Sequence, residues 1–183
     1  CRQLDEKGRA SLLACETPED MFTVLAGGTP ARAGAQATAP LATALPWQSV
    51  SLDLAPADQA QALSLLLALC ARSGAVSALE ELHAQMQARA PLIPERIGDD
   101  VALFTVESPG VFRVALALGV SAQGVACACG SRCRVCVLAL YPPSAAEDMA
   151  RVKAALARAL DAQGLAALLA AQSSSEAREA LLR

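Results

Sequence analysis

From residue 49 onward the apolar positions change period several times, and each change predicts an element. "SVSLDL" (49–54) alternates as a short strand does. "ADQAQALSLLLALCARSG" (57–74) carries helical spacing and ends on Gly74, a natural helix stop. Ser77 and Glu80 have capping-box spacing and predict a second helix at 78–90. Apolar runs at 101–107, 111–119 and 133–141 predict three strands. Pro109-Gly110 supplies the turn between the first two, and Tyr141-Pro142-Pro143 closes the third, since proline cannot donate to a ladder. Ser144 with Glu147, and Ser173 with Glu176, have the same box spacing. They predict a long helix to about Leu160 and a terminal helix. The order is strand, two helices, three strands, three helices, which predicts an α/β fold with a sheet covered by helices on both faces.

The first 48 residues read differently. Residues 1–28 have two helical stretches, 4–14 and 18–26, with Thr17-Pro18-Glu19-Asp20 as a helix start and Gly27-Gly28 as a stop. Residues 29–48, rich in Pro, Ala, Gly and Thr without a usable period, read as a linker, leaving 49–183 as the main domain. "LDEKGRASLLACETPEDMFTVL" (4–25) aligns without gaps on "LDAQGLAALLAAQSSSEAREAL" (160–181). Chance matching in Ala/Leu-rich sequence is one explanation. The other is that 1–28 is the C-terminal end of an upstream copy of the same domain, in tandem within a longer parent chain. Apolar faces carrying Leu12, Leu13, Met21, Phe22 and Leu25 then need cover, and a homodimer through residues 1–28 is one way to supply it.

Composition narrows the function classes. A chain 54% hydrophobic and 18% charged is an ordered globular one. A net charge of −3 and 3% aromatics argue against nucleic acid as a partner, by electrostatics and by stacking respectively. The longest apolar run, 62–71, falls short of the about 20 residues a membrane helix needs. No secretion signal is visible, and seven cysteines without one suggest a reducing, cytoplasmic setting. The chain starts at Cys1 rather than Met, which fits a fragment of a longer protein.

Candidate chemistry is sparse. His83, the sole histidine, sits beside the stripe Leu79, Leu82, Met86 and reads as a rim residue. One histidine supports neither a Ser-His-Asp triad nor a histidine-based metal site. Asp99-Asp100 reads as turn chemistry. Cys127, Cys129, Cys133 and Cys136, spaced C-x-C-x3-C-x2-C, are a candidate metal or redox site. Against it, "CRVCVLALY" reads as a buried strand, on which residues three apart should face opposite ways. Neither the composition nor the spacing calls for a cofactor.

"RAPLIPERIGDDVALFT", with Arg89, Ile97, Gly98, Val101, Ala102 and Leu103 in register, resembles the enzyme IIA domain of the mannitol/fructose/nitrogen class of the bacterial sugar phosphotransferase system. "SPGVFRVALALGVSAQGV" and "LALYPP" extend the resemblance toward the C-terminus. It implies a three-layer α/β/α fold with a mixed sheet, a fold also known in the cytoplasmic domain of anion exchangers. In that family a Pro-His pair ends the "V-A-x-P-H" strand and its imidazole accepts the phosphoryl group. Here the pair falls on Phe104-Thr105. A second, supporting histidine falls on Asp148, and the Glu of an Arg-Glu pair on Ala90, while Arg89 stays in place. The resemblance thus implies a degenerate module whose vestigial pocket would join Thr105, Asp148 and Arg89. It also implies a regulatory or protein-interaction role, with a protein partner, the remainder of the parent chain or a transporter membrane domain as what it contacts. A phosphotransfer component with displaced chemistry and a cysteine-based sensor remain as alternatives.

Overall fold

The computed structural model describes residues 40–128 and 130–183. The expectations for residues 1–28, for the first copy of the repeat, for most of the linker and for Cys129 lie outside the described residues. In chain order the elements are β1 (Val50–Ser51), α1 (Gln59–Arg72), α2 (Leu79–Ala88), β2 (Glu95–Ile97), β3 (Val101–Glu107), β4 (Ala115–Ala126), β5 (Arg132–Tyr141), α3 (Ala146–Ala159), α4 (Ala162–Ala170) and α5 (Ser174–Leu181).

The five strands form one mixed sheet in the order β1-β4-β5-β3-β2. β1 pairs with β4, and β3 with β5, in parallel; β4–β5 and β2–β3 are antiparallel. The period of two along the strands sorts their side chains between two cores. Val101 and Leu103 of β3, Leu116 and Leu118 of β4, and Val135 and Val137 of β5 face α3, α4 and α5. Ala102, Phe104 and Val106, Ala117, and Leu138 and Leu140 face α1 and α2. Both faces are therefore covered, and the fold is the three-layer α/β arrangement the pattern predicts.

Local chemistry fixes the helix ends. The Asp58 carboxylate accepts the Gln61 amide at 2.8 Å to start α1, and Gly74 follows the helix at φ +69°. Asp161 caps α4 by accepting the amides of Gln163 and Gly164. Ser173 Oγ accepts the Glu176 amide at 3.1 Å, while Glu176 reaches back to the Gln172 amide at 2.9 Å, one residue beyond the N-cap amide of a regular box.

The other two expected boxes do not form. Ser77 lies next to the Val76–Val111 bridge, and its hydroxyl donates to the Gly110 carbonyl at 2.9 Å instead, leaving Ala78 as an uncapped start for α2. Ser144 is held inside a 3-10 turn, Pro143–Ala145, and α3 begins without a side-chain cap. The strand expected at 111–119 starts only at Ala115 and runs on to Ala126, since Val111 is spent on the isolated bridge. β1 is two residues rather than six. β2 carries no apolar alternation and is an addition to the expected elements; it forms as an edge strand on β3. The described end of the expected linker packs into the core: residues 40–44 are helical, and Leu41 and Leu45 are fully buried.

Two glycines are demanded by geometry. Gly98 adopts φ +68° in the turn that feeds β3. At Gly164, a Cβ would lie 1.8 Å from the Ala159 carbonyl oxygen, so the α3–α4 corner closes only on a residue without a side chain. Gly164 is also the glycine that the 160–181 segment shares with Gly8 in the repeat.

Candidate functional site

The residues implied by the sequence resemblance lie at the C-terminal part of β3 and on the helices flanking it. β3 runs uninterrupted through Phe104 and Thr105, because each pairs in parallel with β5, Phe104 with Leu138 and Thr105 with Ala139. Alternation turns the two apart. Phe104 is buried at 1% exposure among the α1 and α2 side chains, whereas Thr105 is exposed on the α3 side of the sheet. At the strand end, Glu107 lies opposite Tyr141, whose phenol is pushed up by partial burial and then by the charge and hydrogen bond of the Glu107 carboxylate.

Asp148 occupies the first turn of α3, a favourable place for a negative charge near the positive end of the helix dipole. It is exposed, and Arg151 lies 3.4 Å away, with Glu147 on the same guanidinium at 3.7 Å. Arg89 follows the last turn of α2, on the opposite layer from Asp148, with an exposed side chain. Among the described residues no hydrogen bond or ion pair links any two of Arg89, Thr105 and Asp148. The structure places Thr105 and Asp148 on one side of the sheet and Arg89 on a helix covering the other. Arg151, three residues beyond Asp148, is the neighbour that sequence reasoning missed; its i, i+3 spacing was the available signal.

Among the described residues, two clefts lie away from this region. One, of about 580 Å³, runs along β1 between Trp47, Leu52, Asp53, Leu69, Arg72 and Ser173. The other, of about 210 Å³, lies between α1 and α2 and is lined by Ser64, Leu67, Leu79 and His83 among others. His83 is half-buried there, with Nε2 at 3.0 Å from Ser64 Oγ, while Leu82 and Met86 on its helix face inward, as the rim reading expected. Asp100, in the turn before β3, pairs with Arg134 at 2.6 Å, and that guanidinium holds its carboxyl below the usual carboxylate range.

The cysteines correct one sequence argument. Cys133 and Cys136 do not face opposite sides: both, with Cys127, belong to the core under α1 and α2. The reason is an irregularity between β4 and β5. Val120 pairs with Val135 and Val125 with Cys133, so four residues of β4 oppose only Arg134, and the alternation slips by one. The Cys136 thiol is pushed up to about 12, first by burial and then by the neighbouring Cys127 and Cys133 thiols. Cys70, on α1, is pushed up to about 12 by burial alone. Among the described residues, no three His, Cys, Asp or Glu side chains are arranged to hold a metal ion.

This sheet order and its helix layers are the fold of phosphotransferase-system enzyme IIA domains, as the sequence resemblance implied. The nitrogen regulatory protein IIA-Ntr from Neisseria meningitidis superimposes with a TM-score of 0.64 at 22% identity, covering 75% of this chain and 96% of that one. The mannitol-specific cryptic phosphotransferase enzyme IIA CmtB from Escherichia coli gives a TM-score of 0.62 at 17% identity, over 79% of this chain and 99% of its own. IIA mannitol from Escherichia coli gives 0.60 at 18% identity, over 74% and 97% respectively. No protein-family profile and no curated protein matches the sequence.

Proposed function

We propose that this chain is an enzyme IIA-type module that has lost phosphoryl relay and serves as a regulatory or protein-interaction domain. The observation that carries the reading is the identity of residues 105 and 148. The position corresponding to the acceptor histidine is Thr105, and the supporting histidine's position is Asp148. A relay needs an acceptor whose phosphorylated form keeps a high transfer potential, as an imidazole phosphoramidate does. A threonine phosphate ester is far more stable and would retain the group. A carboxylate at 148 opposes an incoming phosphate where an imidazolium would stabilise it. The sole imidazole in the chain, His83, stands on α2 in a groove with Ser64 and has no counterpart in the acceptor position.

The setting we infer is cytoplasmic, with the module attached to a longer chain that includes a transporter membrane domain. The repeat between 4–25 and 160–181 supports a tandem arrangement. The second copy is two short capped helices, α4 and α5, joined to α3 at the Gly164 corner. None of the described helices is long and apolar enough to cross a membrane, so the membrane part would lie elsewhere in the parent chain. Incubation with phosphoenolpyruvate and the general phosphotransfer proteins tests the loss of relay: the domain should stay unlabelled, and an acid-labile phosphoryl group on it would refute the reading.

A further inference from the structure

We propose that the cleft beside β1 binds a small zwitterion on an apolar body, the chemistry shared by free apolar amino acids and dipeptides. None of Thr105, Asp148 and Arg89 lines it, so the site is independent of the phosphotransfer reading. Its volume, about 580 Å³, lies within the roughly 300–1,000 Å³ common for small-molecule sites. The walls come from three elements tied together by serine hydroxyls. Ser49, fully buried in the turn before β1, donates to the Leu69 carbonyl of α1 at 3.3 Å. Ser174, at the start of α5, donates to the Val50 carbonyl at 2.8 Å. β1 itself is fixed to β4 through Val50 and Ser51. The walls are thus set by the fold before any ligand arrives, which lowers the cost of binding.

The lining residues select the ligand's chemistry. Trp47 is 57% exposed, and its indole offers an apolar face that also attracts a cation. Leu52 and Leu69, both half-buried, continue the apolar lining. Asp53 and Arg72 bring opposite charges to the same cleft, and both are exposed. Among the described residues neither has an ion-pair or hydrogen-bond partner, and they do not pair with each other. Arg72 shares a face of α1 with Leu69 by its i, i+3 spacing. A ligand ammonium would meet the Asp53 carboxylate and the indole face. A ligand carboxylate would take the Arg72 guanidinium, whose fork suits bidentate contact. The apolar body would then cover Trp47, Leu52 and Leu69. A purely anionic ligand meets repulsion at Asp53, a purely cationic one at Arg72, and a neutral one leaves both charges unpaired. The cleft therefore favours a molecule that carries both charges.

Trp47 is the sole tryptophan in the chain, so its emission reports on the cleft directly. The full chain is titrated with L-phenylalanine and, separately, with L-leucyl-L-leucine, followed by tryptophan emission and by isothermal titration calorimetry. A saturable response to either supports the site, and the tighter of the two decides between a free amino acid and a dipeptide. Acetylating the amine of the better ligand, or converting its carboxylate to an amide, should each weaken binding by about tenfold or more, the worth of one charge-assisted contact. Asp53→Asn and Arg72→Gln should each weaken it by a similar factor while leaving the unfolding midpoint unchanged, since both side chains are exposed. No saturable response to either ligand, a capped ligand that binds as tightly as the free one, or undiminished binding in either variant would each overturn the proposal.

Discussion

Ser64 Oγ and His83 Nε2 lie 3.0 Å apart across the groove between α1 and α2. The same hydroxyl is 3.0 Å from the Ala60 carbonyl, its helix's own preceding turn. The serine hydroxyl can donate to that carbonyl and accept from the imidazole, leaving His83 as one arm of an ordinary helix–helix contact. Gln87, one turn on, adds a second polar neighbour at 3.4 Å.

His83→Ala should therefore cost no more than about 1.5 kcal/mol, the net worth of a neutral hydrogen bond. Urea unfolding of the two proteins measures it. A loss above about 3 kcal/mol would mean the imidazole holds more of the interhelical contact than this geometry allows.

Phe104 and Thr105, the two positions proposed to correspond to the family's Pro-His, have separate physical roles. Phe104→Ala should destabilise by about 3–5 kcal/mol, because a large ring leaves a fully packed core. Thr105→Ala, at an exposed site, should stay within about 0.5 kcal/mol. Comparable losses at the two positions would contradict the alternation of β3.

The Gly164 corner gives a sharper stability test. An added Cβ meets backbone, the Ala159 carbonyl, which no side-chain rotation can relieve. Gly164→Ala should cost about 1–3 kcal/mol or more through overpacking. Gly98→Ala meets nothing within 4 Å and suffers only the strain of its positive φ, roughly 1–2 kcal/mol. Thermal or denaturant unfolding in which Gly98→Ala is the worse of the two would contradict the close backbone approach at the corner.

Most of the architecture is legible in the sequence because burial is strong and periodic. The apolar run at 101–107 coincides with β3 at Val101–Glu107, and the Pro pair ends β5 at Tyr141. What is not legible lacks a local signal. β2 reads "ERI", half-exposed at an edge, and only its pairing with Ala102 and Leu103 makes it a strand. Ser77 and Ser144 have cap spacing, but a tertiary bond to Gly110 and a 3-10 turn claim those segments. The shared burial of two cysteines is hidden for a related reason: regular alternation separates Cys133 from Cys136, and only the β4–β5 irregularity puts both in the core under α1 and α2. At the candidate site, the charge of Asp148 can be read from the sequence, and the i, i+3 spacing of Arg151 signals its guanidinium once the helix register is known, whereas the exposure of Thr105 needs the fold.

The Asp100–Arg134 pair predicts a pH dependence with a definite sign. Asp100's carboxyl is held low first by its hydrogen bond to Arg134, so the folded state binds its proton less readily than the unfolded chain. The stabilisation is present above the ordinary carboxylate pKa and is lost as pH falls through the depressed one. Asp100→Asn should therefore be less stable than the parent near neutrality, and the two unfolding midpoints should converge in acid. A gap that persists or widens at low pH would contradict the ion pair as its source. The effect should also shrink with added salt, since both partners are substantially exposed.

Phosphoryl transfer tests the central claim most directly. The chain would be incubated with phosphoenolpyruvate and the general phosphotransfer proteins, beside an enzyme IIA domain known to accept, and label per chain would be counted before and after acid treatment. With Thr105 and Asp148 at the two positions proposed for the family's histidines, no acid-labile label is expected on this chain while the control is labelled. Acid-labile phosphate near one equivalent per chain, on His83 or any other residue, would contradict it.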